Sequence, residues 1–286
     1  MTIAAGFRFS DGLLLCADTQ LTVTGYMKLH ASKIVPVDFA GGSKAAFVIT
    51  GSVAHAHMAV QHCSRALAAK RPEEMATADM ILAIEDEIEG FHQDHIFSHP
   101  GFVRGELTVQ MLIAIWSHVD SHLTLLATQD NAVTRVPDYA CLGAGAFLAN
   151  YLVPTIFRHS SMGLRDTANI AIHVLRETKS YVDSCGGSSQ LLVLRRDGSF
   201  SDVAHVDITG GETISEGFRE AIRRLFVVAA DLDTTEEKLK EELEMTRLII
   251  EGYRRERRSE SNKLAGIIES LSKVREAHGM HGLTRL

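Results

Sequence analysis

Thr2 is the first residue whose type and place could do chemistry. It follows Met1, and a small residue at this place is what removal of an initiator methionine requires. The mature chain would then begin with a threonine whose hydroxyl lies beside a free α-amine. An α-amine titrates near pH ~8 and can accept a proton at physiological pH, which makes an N-terminal threonine a recognised activated nucleophile. By itself position 2 is a weak signal, because many such threonines are simply exposed.

The residues after Thr2 strengthen that signal. In order along the chain, the positions that matter are Gly6, the Asp11-Gly12 turn, the strand Leu13–Cys16, Ala17, Asp18-Thr19-Gln20, Lys33 and Gly51. In this combination the sequence resembles the proteasome β subunits and their bacterial HslV-like relatives, which are N-terminal-nucleophile hydrolases. The resemblance covers roughly residues 2–206 and is moderately specific.

The resemblance implies a catalytic set around Thr2. Lys33 would favour a developing alkoxide on the threonine, and Asp18 would keep that lysine charged and oriented. Gly51, which ends a strand before a helix, would offer its backbone N–H to the substrate carbonyl. Without the flanking pattern, an ordinary salt bridge or two exposed charges would be the preferred interpretation of Asp18 and Lys33.

Two loops depart from the family pattern. Gly143-Ala144-Gly145 stands where the family has Gly-Ser-Gly, so one hydroxyl that contacts the amine is missing. In the run 183–187, Cys185 takes the serine position before Gly-Gly, and the acid is displaced by one residue. A local shift could still place Asp183 and Ser184 near the amine, and both are kept in the predicted catalytic set. Relatives of the bacterial Anbu type also depart from the pattern in these loops.

The resemblance also predicts a substrate pocket. Leu21, Ile49 and Val53 match positions that shape the first specificity pocket in the family. All three are apolar, which indicates cleavage after apolar residues.

Other constellations give weaker alternatives. Several of the 14 histidines are grouped, as His55, His57 and His62 and as His92, His95 and His99. The sequence contains no HExxH, and surface or interface histidines are the preferred interpretation, so we predict no metal and no cofactor. Cys185 in its glycine-rich loop is an alternative nucleophile.

The elements that would position these residues follow from apolar periodicity. A hairpin over 3–9 and 13–18 turns at Asp11-Gly12, and a polar loop then runs from Thr19 to Ser32. The remaining predicted strands are 33–37, 45–50, 107–116, 122–128, 132–136, 139–142, 189–195 and 199–206. Four helices are predicted in this part. The first begins at Val53, and the others are Thr77–Phe91, Ala146–Arg158 and Leu164–Val182.

Helices therefore come in pairs between blocks of strands. Strict βα alternation, typical of a doubly wound parallel sheet, is not present. We expect an α+β fold, a four-layer αββα sandwich over residues 2–208, with a helical extension over 209–286. In that extension Ile214–Ala230 and the charged stretch from Thr234 to about Ala277 suggest helices that pack on the body or on another subunit, or a solvated helix with a frayed end.

Composition narrows the function further. The 286 residues carry a net charge of −7, which gives no reason to expect nucleic acid or an anionic membrane as a partner. No apolar run reaches the ~18–20 residues that span a bilayer, and no signal peptide is recognised, so we expect a cytoplasmic protein with free thiols.

These observations lead to one main hypothesis and two alternatives. The main one is a threonine-type amidohydrolase, a peptidase acting on peptides or unfolded proteins inside a homo-oligomeric ring or spiral. An ATPase or other regulator is not identified by the sequence. The alternatives are an inactive structural or binding subunit of the same fold, and an amidase acting on a small molecule.

Overall fold

The computed structural model describes residues 2–23, 27–104, 107–158 and 161–255, and within these ranges the chain is mixed α/β. The strands are β1 (Ala4–Phe9), β2 (Gly12–Asp18), β3 (Gln20–Val23), β4 (Met27–His30), β5 (Ile34–Asp38), β6 (Lys44–Gly51), β7 (Val109–Ser117), β8 (His122–Gln129), β9 (Ala132–Val136), β10 (Tyr139–Leu142), β11 (Ser189–Arg195) and β12 (Phe200–Asp202). The helices are α1 (Val53–Ala68), α2 (Thr77–Phe91), α3 (Pro100–Val103), α4 (Ala146–Ile156), α5 (Leu164–Tyr181), α6 (His205–Ala230) and α7 (236–255).

The strands form two five-stranded sheets and a ribbon. The first sheet has the order β10-β1-β2-β11-β12, and the second has the order β5-β6-β7-β8-β9. All neighbouring strands in both sheets are antiparallel, and β3 pairs with β4 in a separate two-stranded ribbon.

Successive residues of the central strands enter different hydrophobic cores. In β2, Leu14 and Cys16 pack with α4 and α5, whereas Leu13 and Leu15 enter a central core that contains residues of both sheets. Phe47 of β6 packs instead with α1 and α2, while its neighbours Ala46 and Val48 enter the central core. Because side chains of a strand alternate between its two faces, these runs are apolar throughout and buried on both sides.

Most predicted elements are present, and the predictions for two stretches were wrong. The stretch 19–32, predicted as a loop, contains the β3–β4 ribbon, whose short strands leave little periodicity to detect. The predicted strand 199–206 ends at Asp202, because α6 begins at His205 and not at Ile214. Helix α2 has the predicted bounds, and a π-helical turn, His92–Phe97, continues it.

The chain divides between Glu212 and Thr213 into two compact units, so the division falls within α6. The sequence-based boundary between 208 and 209 stays a prediction. Among the helices of the described ranges, none has the length and hydropathy that crossing a membrane requires.

Trp116 joins the second sheet to the β11–β12 hairpin of the first. Its indole Nε1–H donates to the carbonyl of Arg196 at 2.9 Å. Gly198 in the hairpin turn has φ +78°, and a Cβ there would lie 2.6 Å from the indole ring. The turn therefore requires glycine for both its backbone conformation and its contact with the ring.

Replacing Gly198 by alanine should lower the free energy of unfolding by about 1–3 kcal/mol, from backbone strain and overlap with the indole. Urea denaturation followed by the fluorescence of Trp116, the one tryptophan of the sequence, measures this change. Gly90→Ala is the control, because Gly90 lies in helix α2 with open space around its Cα. That variant should be more stable by about 0.5–1 kcal/mol. Equal stability of the two variants would contradict the account.

Candidate active site

The pairing of strands β1 and β2 brings Thr2 and Asp18 together. Strands β1 and β2 form a hairpin in which Ala4 faces Ala17, so the residue before β1 meets the end of β2. The backbone N–H of Asp18 donates to the carbonyl of Ile3 at 3.2 Å. The side chains of Thr2 and Asp18 are 2% and 0% exposed.

Lys33 reaches the same place from the second sheet. It immediately precedes β5, its carbonyl accepts from Ile49 of β6 at 3.0 Å, and its N–H donates to Gln190 Oε1 of β11 at 3.1 Å. The side chain is 2% exposed. Bonds to both sheets therefore fix the start of β5 and the direction of the lysine.

The Lys33 ammonium has three acceptors. It donates to Thr2 Oγ, to Asp18 Oδ1 at 2.7 Å and to the carbonyl of Gln20 at 2.6 Å. The Thr2 hydroxyl in turn donates to Asp18 Oδ1 at 2.7 Å. Because an ammonium has three protons, this set satisfies it completely.

Burial lowers the pKa of Lys33 below its ordinary value, although the negative charge of Asp18 opposes that shift. The Lys33 ammonium therefore gives up a proton more readily than the ammonium of an exposed lysine. It lies next to Thr2 Oγ. The arrangement can stabilise negative charge on Thr2 Oγ.

Backbone groups complete the site. The Asp18 carboxylate accepts from the N–H of Ile3 at 3.1 Å and, through Oδ2, from the N–H of Gly186 at 2.8 Å. The carbonyl of Thr2 accepts from the N–H of Gly145 at 3.1 Å. The Gly186 and Gly145 N–H groups and the Gln20 carbonyl were not assigned these contacts from the sequence, because backbone groups carry no residue-type signal.

Gly51 lies close by in the sheet. It ends β6 two residues after Ile49, which bonds to the carbonyl of Lys33. Its φ is +84°, and a Cβ at this position would overlap the carbonyl of Thr108. This conformation requires glycine.

Asp183 and Ser184 lie in the loop before β11. Asp183 is exposed, and its backbone carbonyl accepts from Gln20 Nε2 at 3.2 Å, while Ser184 is half-buried. The Cys185 side chain of this loop is buried, 4% exposed. The charges of Asp18 and Lys33 both act on the pKa of its thiol. The loop thus turns Cys185 towards the charged pair and the Asp183 side chain towards solvent.

The three residues predicted to form the substrate pocket lie in two places. Ile49 and Val53 belong to the core under α1 and α2, where Ile49 is 1% exposed. Leu21 is half-buried and lies on the β3–β4 ribbon.

Two pairs of the grouped histidines are in ring contact. His92 is buried, and its Nδ1–H donates to a backbone carbonyl one turn earlier at 2.9 Å. His95 and His99 face α1, with ring centroids 5.8 Å from His62 and 5.6 Å from His55. Within the described ranges, no three His, Cys, Asp or Glu side chains could share a metal ion.

The buried ion pair gives a stability prediction. Asp18→Ala should lower the free energy of unfolding by about 3–5 kcal/mol, because it leaves the Lys33 ammonium buried without its carboxylate. Adding Lys33→Met should recover part of that loss by removing the charge. Lys44→Met is the control, because its pair with Asp38 is 2.7 Å long but half-exposed and should contribute about 0–1 kcal/mol. Chemical denaturation measures all four proteins, and a loss in Asp18→Ala no larger than in Lys44→Met would contradict the buried-pair account.

The thiol of Cys185 gives a pH prediction. Burial, followed by the charge of Asp18, raises its pKa to about 11. At pH 7 only about one such thiol in ten thousand is ionised. Native alkylation by iodoacetamide should therefore rise about tenfold per pH unit between pH 7 and 10, since the thiolate is the nucleophile. Peptide mass spectrometry measures the rate, with urea-unfolded chain as the control, and fast pH-independent alkylation would support the alternative of a cysteine nucleophile.

Comparisons with known proteins place the fold. No protein-family model matches the sequence, and no curated protein matches it. Among solved structures, Anbu (ancestral beta-subunit) from Yersinia bercovieri is similar with a TM-score of 0.63 and 13% identity, covering 79% of this chain and 97% of that one. Anbu from Hyphomicrobium sp. strain MC1 has the same TM-score at 14% identity, covering 81% and 99%, and its Gly-1 mutant covers 79% and 97%. The chain therefore has the fold of the Anbu structures.

Proposed function

We propose that this protein is a threonine-type amidohydrolase, with Thr2 Oγ as the nucleophile and the α-amine of Thr2 as the base once Met1 is removed. One observation carries the proposal. The hydroxyl of Thr2 lies in a buried hydrogen-bonded set with the ammonium of Lys33 and the carboxylate of Asp18. The hydroxyl oxygen contacts both members of the ion pair, which is an arrangement that can activate it as a nucleophile.

The reaction would follow from these groups. The α-amine takes the hydroxyl proton as Thr2 Oγ attacks the amide carbonyl, and Lys33 lowers the cost of the developing negative charge. The amine portion of the substrate leaves with that proton, and an ester on Thr2 remains. Water, activated by the same α-amine, then hydrolyses the ester and frees the threonine. Asp18 holds Lys33 in place throughout.

Gly51 is the proposed oxyanion donor. Its place at the end of β6, next to the strand that Lys33 opens, and its glycine-only backbone conformation support this role. Leu21, Ile49 and Val53 are the proposed pocket residues, of which the half-buried Leu21 and Val53 have surface to offer a substrate. Asp183 and Ser184 are proposed to orient the amine from their loop.

The finer architecture is also a proposal. Three hydrophobic cores, one with α1 and α2, one with α4 and α5, and one shared by both sheets, support a four-layer αββα sandwich. One similar structure is described as a beta-subunit, which supports a homo-oligomer, a ring or spiral with the sites inside. We propose peptides or unfolded proteins as substrates, a cytoplasmic location and a helical extension over 209–286, of which 256–286 lies outside the described residues.

An inactive subunit of the same fold is the second candidate. Ala144 lacks the hydroxyl that the family uses, and the exposed side chain of Asp183 favours this alternative. A chain that has lost Met1 and still shows no turnover that depends on Thr2 would support it. Turnover of small amides but not of peptides would support the third candidate, a small-molecule amidase.

Substitution of Thr2 tests the nucleophile. Thr2→Ala should lower turnover of fluorogenic peptides at least about a thousandfold, because no other hydroxyl replaces it. Thr2→Ser is the matched control, since it keeps the hydroxyl and the amine and should retain measurable turnover. Full activity in Thr2→Ala, or unchanged labelling of that variant by a peptide epoxyketone, would overturn the proposal.

A further inference from the structure

A second, partly buried network lies next to the proposed catalytic pair, Asp18 and Lys33. Asp18 is the last residue of β2, and its register partner on β11 is Ser189. The loop that leads into β11 carries Gly186, whose N–H holds the Asp18 carboxylate through Oδ2 at 2.8 Å. The position of this loop therefore decides how the carboxylate faces Lys33.

Thr19 and Gln20, which directly follow Asp18, hold one side of this loop. The N–H of Gln20 donates to the carbonyl of Gly186 at 3.0 Å, and the N–H of Thr19 donates to the carbonyl of Ser188 at 2.9 Å. The Thr19 hydroxyl accepts from the N–H of Ser188 at 2.9 Å. These bonds fix the loop to the end of β2.

Lys179 of α5 holds the other side. Its ammonium donates to the carbonyl of Gly187 at 3.1 Å, to Ser189 Oγ at 2.9 Å and to Glu212 Oε1 at 2.6 Å. The Ser189 hydroxyl donates to the same Glu212 oxygen at 2.7 Å. Lys179 is 12% exposed and Glu212, on α6, is 26% exposed. The three protons of the ammonium thus join α5, the loop, β11 and α6.

We propose that Lys179 and Glu212 are positioning residues for the reaction, acting through Gly187 and Gly186 on the Asp18 carboxylate. The ammonium fixes the Gly187 carbonyl, and the N–H of the preceding residue, Gly186, is the one that orients Asp18. Glu212 balances the charge of Lys179 and fixes its direction. This inference rests on the proposed function, in which Asp18 orients Lys33 beside Thr2.

The role predicts a defect in chemistry and not in substrate binding. Lys179→Met and Glu212→Gln should each lower kcat about tenfold or more while KM changes less than about twofold, because Asp18 acts on the reacting groups and not on the peptide. Lys44→Met is the matched control, a half-exposed lysine in a 2.7 Å ion pair with Asp38, and should keep the wild-type kcat.

Chemical rescue separates a positioning role from a folding defect. In Lys179→Cys, aminoethylation with 2-bromoethylamine rebuilds a lysine-like ammonium. The four natural cysteines are buried in the native chain, and wild type treated in the same way is the control for their modification. Rescue of kcat supports the proposal, and failure of the alkylated variant to regain kcat overturns it. Ser189→Ala, which removes one acceptor and no charge, should show a smaller loss of kcat in the same direction.

Hydrogen exchange decides the inference independently of activity. The Gly186 amide should exchange faster in Lys179→Met than in the wild type, and Lys44→Met should leave that amide unchanged. An unchanged Gly186 exchange rate in Lys179→Met, or a rise in KM with kcat unaltered, would overturn the positioning role. If wild type shows no Thr2-dependent turnover, the proposed function fails, while the exchange rate of Gly186 still decides whether Lys179 holds the loop.

Discussion

The buried ammonium of Lys33 is the constraint on which the rest of the site depends. A cation that is 2% exposed needs an acceptor for each proton, and the acceptors here come from two stretches of chain, the residues before β1 and the junction of β2 and β3. The Thr2 hydroxyl, the Asp18 carboxylate and the Gln20 carbonyl must therefore all lie within bonding distance. Losing any one would leave a buried polar group unsatisfied.

The two sheets meet this constraint through ordinary strand geometry. The β1–β2 hairpin brings Thr2 to Asp18, and apolar side chains on both faces of β2 hold that strand inside the fold. Lys33 comes from the second sheet, and its N–H bonds to Gln190 of β11. The geometry around Thr2 is thus a consequence of how the strand ends are packed, and the loop before β11 holds the Asp18 carboxylate through the Gly186 N–H.

Part of this arrangement could be predicted from residue types in the sequence. The Asp11-Gly12 turn and the apolar runs indicated the first hairpin, and the resemblance predicted the set of Thr2, Asp18 and Lys33, which the structure brings together. The Gly186 N–H could not be predicted, because any residue supplies one and only the fold aims it. The link between Lys179 and Glu212 joins residues 33 positions apart, and no local pattern marks such a pair.

The central claim is that Thr2 Oγ is the group that attacks an amide, and its acyl adduct tests this most directly. The chain would be incubated with a peptide β-lactone and its N-terminal peptide analysed by tandem mass spectrometry. The account predicts a chain that begins at Thr2 and carries one acyl group as an ester on that side chain. Retained Met1, or an acyl group on Cys185 with Thr2 unmodified, would contradict it.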